Sequence, residues 1–282
     1  MISIASTNGV QLALHPFGGS GPGMLFVHGT GLNGPMFGPL AALTKATSWS
    51  LDLRGHGYST PPETDDYAWQ GFGDDVVAAA RWITAQTGES PVGFGHSLGG
   101  ASVLRAEAQN PGLFRAVVTF EPIVFPPGAG FPDIKTHPLV QASLRRRAEF
   151  ASFEAVYDNF RAKPPMNVLD PAALRAYVEA GFRPTDAGTV TLSCPPEREA
   201  AVFASDTKHD TWELLDHIHC PLLILHGRVH DAGPARYIAS VAERMPTSTV
   251  VGFPDLGHFG PFERPDLIAE PLNDVLRVHN DV

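Results

Sequence analysis

Val92-Gly93-Phe94-Gly95-His96-Ser97-Leu98-Gly99-Gly100 is the stretch on which the reading of this chain turns. Its first four residues form a short apolar run, of the kind that makes a strand buried on both faces. From Leu98 to Asn110 the pattern becomes helical, and Pro111 stops it. Between strand and helix lies Gly95-His96-Ser97-Leu98-Gly99, a G-x-S-x-G. At the apex of a tight strand-to-helix turn a serine lifts its hydroxyl above the sheet, and small residues two before and two after it avoid a clash. The helix that follows points its first N–H groups at the same place, which favours developing negative charge. Ser97 is therefore the candidate nucleophile.

Outward from this turn, short apolar runs recur at Met24–Val27, Ser48–Asp52, Ala116–Phe120, Leu222–Leu225 and Thr249–Phe253. Helical patterns lie between most of them, over Phe72–Thr87, Leu98–Asn110, Ala235–Arg244 and Pro265–Val278. Such alternation predicts βαβ units and an α/β fold with a mostly parallel sheet flanked by helices. The chain opens differently: Ile2 and Ile4, then Asn8-Gly9, then Val10–Leu14 read as a hairpin. Between about Pro122 and Thr211 the alternation breaks. That stretch shows no strand pattern, begins with the linker Phe125–Gly130, and carries helical patterns around Leu139–Arg161, Pro171–Gly181 and Pro196–Ala204. The expected organisation is a core of residues 1–121 and 212–282 with an inserted helical lid at 122–211.

Two further motifs flank the serine. His28-Gly29-Thr30-Gly31 closes the Met24–Val27 run, and Asp52-Leu53-Arg54-Gly55-His56-Gly57-Tyr58-Ser59 closes the next one. With Gly257-His258-Phe259 near the end, ahead of Glu263 and Pro265, they make the chain resemble the α/β-hydrolase superfamily, in its serine-nucleophile, esterase-like branch with a helical lid. The resemblance implies that the backbone N–H groups of Thr30 and Leu98 form the oxyanion hole. It implies that the Asp52–Ser59 segment is structural, His56 included. It also implies an order along the chain of nucleophile, acid, histidine.

A serine hydroxyl needs a base at neutral pH, and an imidazole held by a carboxylate supplies one. His258 fits the histidine. For the acid, Asp231 follows the penultimate strand, where such proteins usually keep it, although it stands one residue later than the common G-x-x-D spacing from Gly227. Glu121, at the end of the Ala116–Phe120 run, is the alternative acid. The implied activity is a serine hydrolase cleaving a carboxylic ester, or a related acyl bond, of a small and hydrophobic substrate without a cofactor. A lactonase, a thioesterase and a C–C bond hydrolase would use the same triad, and a slow-turnover ligand receptor would share the fold. In such a fold the lid governs the substrate, yet apolar lid residues such as Phe150, Phe153, Val156, Tyr157, Phe160 and Phe182 read chiefly as the lid's own core.

Composition sets limits on the rest. The 282 residues suffice for one large core, and the net charge of -10 gives no electrostatic reason to hold nucleic acid or an anionic membrane. Arg145-Arg146-Arg147, the one basic run, reads as a solvated helix face. His217 and His219 lack further converging ligands, so no metal site is expected. Neither a G-x-G-x-x-G after a first strand nor a Walker loop is present. Cys194 and Cys220, with an N-terminus lacking a basic and apolar leader, point to a cytoplasmic protein with a small-molecule substrate. Oligomeric state is not encoded in any of these patterns.

Overall fold

The structure, a computed structural model, describes residues 1–129, 136–206, 209–230, 233–245 and 248–278. In chain order the first part builds β1 (Ile2–Ala5), β2 (Gln11–Gly18), β3 (Gly23–Val27), α1 (Gly38–Ala41), β4 (Thr47–Asp52), α2 (Trp69–Thr87), β5 (Val92–His96), α3 (Leu98–Gln109) and β6 (Ala116–Phe120). After β6 come α4 (Pro138–Leu144), β7 (Glu149–Phe150), α5 (Phe153–Arg161), α6 (Pro171–Gly181), β8 (Phe182–Pro184), β9 (Val190–Leu192) and α7 (Pro196–Phe203). The chain then returns through α8 (Thr211–Leu214), β10 (Leu222–His226), α9 (Ile238–Glu243), β11 (Thr249–Gly252), α10 (Gly260–Glu263) and α11 (Pro265–Val278).

The main sheet has the order β1-β2-β4-β3-β5-β6-β10-β11. β1 and β2 are antiparallel, β2 is antiparallel to β4, and every later pair is parallel. The opening hairpin turns on Asn8 at φ 57° and Gly9 at φ 71°, the two left-handed residues that a type I′ turn requires. Successive strand residues alternate between two cores, as a pleated strand buried on both faces must. Leu25 and Val27 join one cluster with Phe72, Val76 and Ile83 of α2 and Val103 and Leu104 of α3. Met24 and Phe26 join the other, with Leu40 of α1 and Ile268 and Leu272 of α11. Helices therefore cover both faces, and no helix among the described residues is long and apolar enough to cross a membrane.

Strand order positions the site. β3 lies between β4, which follows it in the chain, and β5, which follows β4. The chain thus moves away from β3 on one side and crosses back to the other. At such a reversal the loops leaving the carboxyl ends of the two middle strands part and leave a crevice. Here those loops begin at His28 and at Ser97.

The insertion between β6 and β10 departs from its expected purely helical character. β7, β9 and β8 form a small antiparallel sheet. Strands of two or three residues carry too few alternations for periodicity to show, and only the turn residues ahead of β9, with Gly188 at φ 78°, betray the β8–β9 hairpin. The Leu139–Arg161 pattern is accordingly split into α4, β7 and α5. Arg145–Arg147 follows α4 and is not one solvated face: Arg146 turns inward to Glu199 and to the Tyr177 hydroxyl (2.6 Å), and Arg147 lies over the Phe150 ring at 4.2 Å. Phe150, Val156 and Phe182 are buried, with Phe153, Tyr157 and Phe160 packed on the same cluster, so these residues form the core of the insertion. Its outer contacts run onto the loops after β3 and β4. Asn33 donates to Tyr177 O at 3.0 Å, and Arg183 and Arg198 donate to the carbonyls of Gly57 and Gly55.

Candidate active site

The turn between β5 and α3 holds Ser97 at φ 57° and ψ −120°, a left-handed conformation rare for a residue with a Cβ. Its neighbours show why glycine is needed on both sides. A Cβ on Gly95 would stand 2.4 Å from Gly99 O, and one on Gly99 would stand 2.2 Å from Val27 O. The backbone can fold this sharply, and pass this close to β3, only where those side chains are missing.

Three side chains converge above the sheet. Ser97 Oγ lies 3.1 Å from His258 Nε2. His258 Nδ1 lies 2.6 Å from Glu121 Oε2, and the other carboxylate oxygen, Oε1, accepts the Gly227 N–H at 2.8 Å. Glu121 is buried and, like Ser97, sits at positive φ (44°), just past the end of β6. The contact to Gly227 ties it to the loop leaving the adjacent β10. A carboxylate accepting from Nδ1 keeps the proton on that nitrogen and leaves the Nε2 lone pair for the serine. The structure thus brings Ser97 and His258 together with Glu121, the alternative acid. Asp231, the leading expectation for that role, falls outside the described residues.

The loop after β3 borders the serine: a Cβ on Gly29 would stand 2.9 Å from Ser97 Cβ. Thr30 follows directly, and Leu98 is the first residue of α3. Among the described residues neither amide donates to a protein acceptor. First-turn amides of a helix have no partner within the helix, so the Leu98 N–H is available to a ligand.

Sequence reasoning missed the residues that brace this arrangement. His96 is fully buried and donates from Nε2 to His258 O at 2.8 Å, so the residue before Ser97 holds the loop of His258. Burial holds the His96 pKa well below its ordinary value and keeps the ring neutral. His28 accepts the Leu53 N–H at Nε2 (3.0 Å) and donates from Nδ1 to Gly29 O (2.7 Å). His56 accepts the Gly31 N–H at Nε2, 3.1 Å. Asp52 Oδ1 accepts the Gly34 N–H at 2.7 Å, linking the same two loops. Their only trace in the sequence is a place inside the quoted motifs. A motif position does not reveal a backbone hydrogen bond to a loop elsewhere in the chain.

Comparison with known proteins places this geometry. The model of the alpha/beta hydrolase family matches residues 24–270. The chain is 29% identical over 263 residues to 2-(acetamidomethylene)succinate hydrolase of Mesorhizobium japonicum, covering 92% of this chain and 89% of that one. It is 27% identical over 218 residues to an esterase of Mycobacterium tuberculosis, covering 75% of this chain and 67% of that one. Among solved structures, that of E-2-(acetamidomethylene)succinate hydrolase superposes with a TM-score of 0.78 at 26% identity, covering 98% of this chain and 99% of that one. These relatives are hydrolases.

Proposed function

Because the chain belongs to the alpha/beta hydrolase family, we propose that it hydrolyses a carboxylic ester, or a related acyl bond, of a small substrate with Ser97 as nucleophile, His258 as base and Glu121 as acid. The observation that carries this reading is the continuous contact from Ser97 Oγ through the His258 ring to Glu121. Ser97 Oγ attacks the carbonyl carbon and its proton passes to His258 Nε2. The carbonyl oxygen becomes an oxyanion that accepts from the Thr30 and Leu98 amides. The Glu121 carboxylate stabilises the imidazolium that forms. Collapse breaks the bond to the leaving group, which takes the proton from Nε2, and an acyl-enzyme remains. Water then gives its proton to His258 as it attacks the acyl carbon, and the acid leaves with Ser97 restored. The residues between β6 and β10 act as the lid, since their contacts fall on the loops around Gly31–Asn33 and Gly55–Gly57.

Glu121 takes the acid role from Asp231 in this reading. Its carboxylate is buried and divided between Nδ1 and a backbone N–H, which fixes the ring plane as well as the tautomer. The relatives bear on the bond cleaved. One is named an esterase and the other acts on an acetamido compound, so an amide of that type is the second reading, favoured by the 29% identity across most of both chains. Oxyanion stabilisation and acyl transfer serve either bond.

The decisive test is Ser97→Ala on a short p-nitrophenyl ester and on the matching anilide. The variant should retain the wild-type melting temperature and lose at least about a thousandfold in kcat on whichever substrate turns over. Unchanged turnover by the variant removes Ser97 from the mechanism.

A further inference from the structure

His56 stands outside the chain of contacts from Ser97 through His258 to Glu121. Gly29-Thr30-Gly31-Leu32 closes as a turn in which Leu32 N–H donates to Gly29 O at 3.2 Å, with Gly31 at φ 74°. Positive φ at the third residue belongs to a type II turn; in a type I turn that residue sits near −90°. The two forms differ by a half-rotation of the central peptide, here the Thr30–Gly31 unit. The facing of that peptide is set by where the Gly31 N–H points, and it points at His56 Nε2, 3.1 Å away.

The ring is fixed from both ends. A backbone N–H can only donate, so Nε2 accepts, and Nδ1 then carries the proton that it donates to Arg54 O at 3.0 Å. His56 is fully buried, and its ring centroid is 5.2 Å from that of His28, which stitches the same two loops through Leu53. Burial pushes the His56 pKa down to about 3, with His28 and Arg198 adding to that and the Arg54 carbonyl and Asp52 opposing it. A proton on Nε2 would set one N–H against another.

We propose that His56 is a positioning residue: its Nε2 lone pair anchors Gly31, and with it the Gly29–Leu32 turn that carries the Thr30 amide, to the loop after β4, and so keeps that amide in place at the oxyanion. This rests on the assignment of Thr30 as an oxyanion donor. Without the acceptor the turn loses its tie to the loop after β4, and the Thr30 amide, one residue from the anchored Gly31, loses its fixed place.

The test compares His56→Phe, which keeps a ring but no acceptor, with His56→Gln, whose side-chain oxygen reaches the Nε2 position. Kinetics are read beside the affinity of a boronic acid that forms a tetrahedral adduct with the serine. His56→Phe should lower kcat about 10- to 100-fold, leave KM within about threefold, and weaken the boronate by a similar factor. His56→Gln should recover most of both losses. In the unaltered protein, ¹⁵N spectra of labelled histidine should show an unprotonated Nε2 from about pH 5 to about pH 8. A kcat within about twofold for His56→Phe, equal damage in both variants, or a protonated Nε2 overturns the proposal. If His56→Phe does not fold, His56→Gln is compared with the unaltered protein, and a loss of more than about tenfold in either reading there, or a protonated Nε2, overturns the proposal. Ser97→Ala in the same assay separates the two claims. If that variant is inert while His56→Phe keeps its kcat, only the role of His56 falls. If Ser97→Ala turns over normally, the nucleophile reading falls first.

Discussion

Glu121 reaches His258 from a backbone conformation that few residues with a side chain adopt, φ 44°. A non-glycine residue held there is maintained by its surroundings, and its surroundings are visible: its N–H donates to Leu225 O at 2.9 Å while its carboxylate receives Gly227 and His258. This makes a sharp prediction for two acidic residues. Glu121→Gln should lower kcat by about 10³- to 10⁴-fold, because an amide no longer enforces the tautomer or stabilises imidazolium. Asp231→Asn should leave kcat within a few-fold. Steady-state kinetics of the two variants check this, and the opposite ranking would return the acid role to Asp231. The serine and histidine were legible because each sits in a local motif. The carboxylate beside the histidine was harder to read, since either the end of β6 or the loop after β10 could supply one at a suitable place in the chain. Which one meets Nδ1 depends on how those two neighbouring strands stand relative to the histidine loop.

At the scale of the element, the β5–α3 elbow works because backbone fills the space where side chains would be. Gly99→Ala would push a Cβ to 2.2 Å from Val27 O and 2.6 Å from His28 O, both main-chain atoms that cannot swing aside. Overpacking of this kind should cost about 1–3 kcal/mol or more and displace β3 together with the loop that follows it. The melting temperature should fall by several degrees and activity with it. Gly38→Ala is the matched control. Its φ is −50° and its Cβ would meet only a Phe17 ring atom at 3.8 Å, so stability should hold or rise by up to about 1 kcal/mol. Equal losses in the two variants, read by thermal melts, would refute this account of the elbow. Elements with long periodic patterns were readable from sequence, among them α2, α3 and α11. The three short strands of the insertion were not, because a two- or three-residue strand gains its stability from partners brought to it and carries almost no pattern of its own.

Across the whole molecule, several imidazoles are kept neutral by loss of solvent. Burial lowers the pKa of His28, His56, His96 and His209, with His56 pushed to about 3 and His209 to about 4. In the unfolded chain these rings protonate near pH 6.5. Below that pH the unfolded state therefore binds more protons than the folded one, and stability falls as pH falls, by up to about 1.4 kcal/mol per pH unit for each histidine. The loss should run from about pH 6.5 down towards pH 4, where His209 begins to titrate in the folded protein. Asp75 and Glu107, raised by burial, act in the opposite direction. Urea midpoints at about pH 7.5 and about pH 5 check this: the second should be clearly lower, and equal midpoints would mean that the rings take up protons without unfolding. The sequence by itself determined the α/β class, the hairpin at the start, the serine at its elbow and the histidine in the last loop. All of these are written in periodicity, turn chemistry or spacing among near neighbours. Only the tertiary structure decided that Glu121 meets the histidine, that His28 and His56 hold the loop after β3, and that Arg146 faces inward. Each of those is a contact between segments far apart in the chain, and local pattern has no term for the distance between them.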